Sequence, residues 1–130
     1  MKETNCFYDR YGAPRLRLLD DVRLVDFSGR HVGLVHDDAL YSYQGVQVAW
    51  LEGDIMRDLH GNTIAFGENP TDGPFPYLPY KQYRPYAGYV QYAPYIPYLQ
   101  YKRYKPYKAY GWSPLDLIEL FVGSRENDKK

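Results

Sequence analysis

The sequence predicts a mainly β protein: four β-hairpin repeats, about eight antiparallel strands, followed by a tyrosine-rich tract and one short helix. Three observations predict this order. Gly12, Gly29, Gly45 and Gly61 lie 17, 16 and 16 residues apart, and Asp9, Asp26, Ser42 and Asp58 stand three residues before them. From Tyr77 to Tyr110 a tyrosine occupies every third position, twelve times without a miss. Ser113 and Pro114 then open a run, Leu115 to Val122, in which only Asp116 and Glu119 are polar.

The hairpins follow from what surrounds each glycine. Five residues before it come Phe7, Leu24, Leu40 and Met56; three after it come Arg15, Val32, Val48 and Ile64. Four after it the residues are mostly small (Leu16, Gly33, Ala49, Ala65), and five after it mostly large (Arg17, Leu34, Trp50, Phe66). Asp-x-x-Gly marks a type I turn, because the carboxylate accepts nearby backbone N–H groups and glycine supplies positive φ at the exit. Apolar residues on both sides make the turn close a hairpin. Asp20-Asp21, Asp37-Asp38 and Gly53-Asp54 suit tight links between consecutive units. No unit is long enough to stand alone, so the four must share one core. The first unit carries two arginines where the others are apolar, as an end repeat often does.

A period of three fits neither an α-helix (about 3.6) nor a strand (about 2). It fits polyproline II, which needs no internal hydrogen bonds and accepts Pro79, Pro85, Pro94, Pro97 and Pro106. All twelve rings then share one stripe. Residues 75–83 also align with 93–101 at an offset of 18, so the tract is internally duplicated. A triangular β-solenoid and a disordered segment are the competing readings, the first opposed by prolines that cannot donate ladder bonds, the second by the wealth of rings. Straight, the 34 residues would run about 105 Å at ~3.1 Å each. A hairpin domain of this size has a radius of gyration of only about 11 Å. The expectation is that the tract turns back, at Ala87-Gly88, or lies against other copies of the chain, burying its rings either way.

Ser113 is read as the helix N-cap, Pro114 as N1 and Gly123 as the stop. The expected organisation is a hairpin domain over 5–69, the tract over 74–112, the helix over 113–123 and a polar tail over 124–130.

These residues resemble a known family. Phe7-Tyr8-Asp9-Arg10-Tyr11-Gly12, Gly29-Arg30-His31-Val32-Gly33-Leu34, Arg57-Asp58-Leu59-His60-Gly61-Asn62 and a triplet tract ending in Gly111-Trp112-Ser113 look like the 4-fold beta flower family, over about residues 6–114. The resemblance implies four petals in pseudo-fourfold arrangement. It implies no activity, so no functional residue carries over. It also implies Leu, with Lys and Pro, at triplet positions where this chain carries Tyr.

Formal net charge is zero over 130 residues, but its distribution is uneven. Residues 1–76 hold 7 basic and 12 acidic side chains, whereas 77–110 hold six basic ones and no acid. The simplest partner for each half is the other. The single cysteine, Cys6, excludes an internal disulfide framework and reads as a small core residue. The polar N-terminus has no apolar h-region, and no apolar run is long enough to span a bilayer. The expected setting is cytoplasmic.

No catalytic, metal-binding or cofactor-binding constellation emerges. His36 beside Asp37-Asp38 could be imagined as a metal site, but acids recur at that turn in other units. His60 occupies a loop slot beside its turn glycine. The one candidate binding patch is Tyr101, Lys102, Arg103, Tyr104, Lys105, Tyr107 and Lys108, where alternating rings and cations could stack bases and neutralise phosphates, or stack on sugars. Self-packing of the stripe and proline-rich docking to another protein compete with that reading. The sequence reading is therefore a non-enzymatic structural or protein-interaction module that forms a homo-oligomer, with single-stranded nucleic acid or polysaccharide as the alternative partner.

Overall fold

The computed structural model describes residues 2–71 and 73–127. Eight strands run in chain order: β1 (Glu3–Tyr8), β2 (Pro14–Leu19), β3 (Arg23–Asp26), β4 (His31–His36), β5 (Ala39–Tyr41), β6 (Gln47–Glu52), β7 (Ile55–Arg57) and β8 (Thr63–Phe66). Each pairs antiparallel with the next and β8 returns to β1, so the hairpins close into a barrel. The seam is thin: Tyr8 opposite Phe66 is its one aligned pair.

The four turns form where the Asp-x-x-Gly pattern predicts. The N–H of Gly12 donates to Asp9 O at 2.9 Å, and the Asp9 carboxylate accepts from the amides of Tyr11 and Ala13. Asp26 and Asp58 repeat this arrangement, and Ser42 substitutes its hydroxyl. At the other end of the hairpins, Asp20, Asp21, Asp37, Gly53 and Asp54 take positive φ, as tight hairpin links require.

Alternation along the strands sorts the core. Phe7, Leu24, Leu40 and Met56 point into one cluster with Val32, Val48 and Ile64, drawn from all four units. Their neighbours face outward in two further clusters: Cys6, Tyr8, Ile55 and Phe66 at the seam, and Leu34, Ala39, Tyr41 and Trp50 across β4–β6. The repeat positions read from sequence are thus the alternate faces of one barrel wall.

The helix α1 spans Leu117–Asn127 and closes the inner cluster with Leu117 and Phe121. It begins four residues later than the expected 113–123 span, because Asp116 is its cap: the carboxylate accepts the amides of Ile118 and Glu119 at 3.1 Å. Ser113 instead turns the chain ahead of it, accepting from Leu115 N. Gly123 does not stop α1, so residues 124–127 of the expected tail are helical; 128–130 lie outside the described residues. Gly33 makes room for the helix, since a Cβ there would lie 2.5 Å from the Phe121 ring. The first unit's exception also has a cause: Arg15 bridges Asp9 at 3.0 Å and Asp116 at 3.3 Å, tying that petal to α1.

Candidate functional site

The tract is not a rod. It leaves β8, passes the four turns in order and returns to β8, forming a belt around the barrel. Each turn is a docking station. The N–H groups of Gln82, Gln91, Gln100 and Ala109 donate to the carbonyls of Gly12, Gly29, Gly45 and Gly61 at 2.8, 2.9, 2.9 and 3.1 Å. Two residues earlier, the carbonyls of Tyr80, Tyr89, Tyr98 and Tyr107 press on the same glycines so closely that an added Cβ would lie 1.7–2.1 Å away. The period is nine residues of belt per petal. The duplication of 18 is two petals.

A chain of about 105 Å wrapped once makes a ring about 33 Å across at the rise of an extended three-residue turn, which resolves the size mismatch without a second copy. Gly88 does not reverse the chain; its N–H donates to Phe27 O at 2.8 Å on the second petal. No helix or strand occurs between residues 74 and 109.

The ends of the belt are clasped together. Arg57, only 3% exposed, donates to Pro74 O where the belt starts, and to Ala109 O and Gly61 O where it ends. Thr63 N donates to Gly111 O and Ser113 N to Thr63 O, laying Trp112 beside β8. Phe75, Leu78 and Trp112 cover the outer seam cluster, and Leu99 covers the cluster on β4–β6.

Four petals, one belt and nine belt residues per petal form a single pseudo-fourfold plan, and a family model described as 4-fold beta flower protein matches residues 5–121. The chain belongs to the 4-fold beta flower family. Neither a curated protein nor a solved structure matches it.

Where the flower carries its tyrosines is a correction to the sequence reading. All twelve belt rings face outward, 74–102% exposed, instead of packing. Two positions of each triplet suffice to bind the barrel, through backbone groups, prolines, small residues and cations. The ring at the third position is left to solvent.

Most of the candidate patch is therefore divided between two directions. Tyr101, Tyr104 and Tyr107 face out. Lys102 reaches back to Asp38 at 3.0 Å and Asp37 at 3.7 Å; Lys105 reaches Asp38 at 2.6 Å and Glu52 at 2.9 Å, lying also over the Trp50 ring; Lys108 is 3.8 Å from Glu52. Arg103 is exposed, and its backbone N–H donates to Gln47 Oε1 at 2.7 Å. On the opposite arc Lys81 pairs with Glu68 at 3.0 Å and Arg84 with Glu3 at 2.6 Å. The acidic barrel and the basic belt answer each other, as the charge split predicts. The stations themselves left little trace in sequence beyond Gln82, Gln91 and Gln100 at nine-residue spacing.

Burial of Asp38 pushes its carboxyl up, but hydrogen bonds from Lys105 and Lys102 outweigh this and hold it below the usual range. Hydrogen bonds to Asp38 raise both lysines. A lowered carboxylate contributes stability above its ordinary pKa of about 3.9, lost as pH falls through the folded value; a raised lysine contributes below about 10.4, lost as pH climbs. This arc is thus held best between about pH 4 and pH 10. Hydrogen exchange at Gln100 and Ala109 should quicken relative to the barrel amides below that window. Protection that stays level through acid would show that backbone docking alone holds the arc.

Among the described residues no group of three or more His, Cys, Asp or Glu is placed to hold a metal ion, and no helix is long and apolar enough to cross a membrane. The histidines are placed by the fold: His31 Nε2 bonds Gln91 O at 2.9 Å, His36 lies edge-on to Tyr41, and His60 donates its amide within the fourth turn.

Proposed function

We propose that the chain is a non-enzymatic structural and interaction module, cytoplasmic in setting, that associates with further copies through its tyrosine belt. The observation that carries this reading is the outward row of twelve rings. An aromatic side chain offers about 150 Å² or more, whereas exposed apolar patches on monomers rarely exceed a few hundred Å². The belt's cations support the reading from the other side: most are spent on the barrel's own acids, so the outer surface is aromatic before it is basic. Because the row faces every direction, one partner covers only an arc of three or four rings. At about 150 Å² a ring that is about 450–600 Å² a side, or about 900–1,200 Å² over both partners, the lower edge of a stable specific interface, so association is weak, concentration-dependent and open to several partners at once.

Light scattering over a concentration series tests it. Tyr89→Ser, Tyr92→Ser and Tyr95→Ser together should shift the average mass towards monomer without unfolding the barrel, which those rings do not support. A wild type that stays monomeric at about 100 μM would defeat the proposal, since even small interfaces associate measurably there.

The exposed Arg103 between Tyr101 and Tyr104 favours one alternative, a platform for single-stranded nucleic acid or polysaccharide. Salt-sensitive retention on oligo-dT would identify the first and salt-insensitive retention on insoluble glycan the second.

A further inference from the structure

We propose that the belt is a site of oxidative modification, at which copies of this chain become joined by carbon–carbon bonds between phenol rings. This goes beyond the association reading and does not rest on it, because colliding copies suffice.

The first support is chemical sorting. The chain has sixteen tyrosines, two tryptophans and five phenylalanines. Every ring in the outward row is a phenol, and no Phe or Trp stands among them. A row meant only for apolar packing would be served by Phe as well. Among the described residues none of the twelve hydroxyls bonds another protein group, so both ortho carbons and the O–H of each ring are open to a reagent.

The second support is what the fold hides. Cys6 and Met56 are fully buried and Trp50 nearly so; Trp112 is half-buried, packed edge-on against Phe66 at 6.4 Å. Burial also raises the Cys6 thiol, withholding its reactive thiolate. Tyr8 and Tyr41 are buried too. Susceptibility to oxidants follows exposure, so one-electron oxidation lands on the belt.

The third is spacing. Successive belt tyrosines leave an extended backbone about 9 Å apart on its convex side, which splays the rings further. Among the described residues no aromatic pair joins two of them. Coupling is therefore directed between chains rather than along one belt.

The reaction balances with hydrogen peroxide and a haem peroxidase as the oxidant. Each of two tyrosines gives up one electron and its hydroxyl proton, leaving a phenoxyl radical. The radicals join ortho carbon to ortho carbon, and each ring moves its displaced ortho hydrogen to oxygen and becomes a phenol again. The peroxide O–O bond breaks, and the two electrons and two protons convert it to two waters.

The test treats the full chain with hydrogen peroxide and a haem peroxidase. A ladder of reduction-resistant dimers and higher species is expected on a denaturing gel, each link two hydrogens lighter, with both halves mapping to residues 77–110. A variant with all twelve belt tyrosines changed to Phe leaves Tyr11 as the one exposed phenol of thirteen, so its cross-linked fraction should fall about ten-fold. Its non-covalent mass by light scattering should not fall with it, which separates this proposal from the association reading. A second variant, changing only Tyr80, Tyr86, Tyr92, Tyr98, Tyr104 and Tyr110 to Phe, should give about half the wild-type yield and guards against a folding defect in the first. A single band from wild type, links mapping to Tyr11 or Trp112, links confined to neighbours within one chain, or equal cross-linking of the Phe variants would each overturn it.

Discussion

Arg57→Met should loosen both ends of the belt at once and cost about 3 kcal/mol, the order of two hydrogen bonds to a buried charged group. Methionine keeps the length and much of the stem, so packing between β7 and the belt is largely preserved while the guanidinium is removed. Three carbonyls lose a donor, that of Gly61 in a buried setting and those of Pro74 and Ala109 in a partly buried one. The melting temperature should drop by about 10 °C for a chain of this length. Hydrogen exchange should speed first at Thr63, Ala109 and Ser113 and only later in β2–β6. Arg57→Lys should fall between the two, since one ammonium cannot match the fork that reaches both belt ends. A uniform loss of protection through the barrel would show that Arg57 supports the wall and not the clasp.

Gly45→Val should be comparably severe, about 3 kcal/mol, from two causes that act together. The φ of Gly45 is 83°, a conformation that strains any residue with a β-carbon. The added Cβ would also lie 2.1 Å from Tyr98 O, a backbone atom that cannot swing aside. The belt must lift there, releasing three bonds at Gln100: its N–H to Gly45 O at 2.9 Å, its carbonyl to the Tyr41 hydroxyl at 2.9 Å, and its Oε1 to Gln47 N at 3.2 Å. Gly111→Ala is the matched control. A Cβ there meets nothing within 4 Å, and the change should stay within about 0.5 kcal/mol. Denaturant titration of the two variants checks the contrast; equal stabilities would mean that the stations do not hold the belt.

The barrel was legible in the sequence because its rules are local. Asp9, Asp26, Ser42 and Asp58 dictate turns through their own side chains, and alternate positions such as Phe7 and Tyr8 declare opposite faces. The belt was legible only in part. A strict period of three places twelve rings on one face but does not say which way that face looks, and an apolar row invites the assumption that it is buried. What decides is the chemistry of the other two triplet positions, where Pro79, Leu78, Ala109 and the lysines make the inward contacts. The stations are faint in the sequence because they join backbone carbonyl to backbone amide across a glycine, and only Gln82, Gln91 and Gln100 recur beside them. The helix starts later than its sequence suggests for a simpler reason. Ser113 and Asp116 are both good caps, and the bond of Ser113 N to Thr63 O commits that residue to the belt's closure first.

The single aligned pair at the barrel seam, Tyr8 with Phe66, has a consequence for how this chain comes to be assembled. Protein synthesis proceeds from the N-terminus and early segments begin to fold while later ones are still being made. The eight strands are therefore complete about fifty residues before the helix that plugs the barrel, a gap of the order of seconds at about 5–20 residues per second. Through that interval the wall is a sheet with a weak join, and its outer apolar groups around Ile55 and Trp50 are bare. The tract then emerges in the order of the petals it must meet, first, second, third and fourth, so that winding follows translation without any segment being threaded backwards. Arg57 waits in the wall for the whole circuit and is satisfied at Ala109 only when the last petal is reached. Closure is thus a late event, and a ribosome pausing within the tract would leave an unhooped barrel as the species exposed to chaperones and proteases.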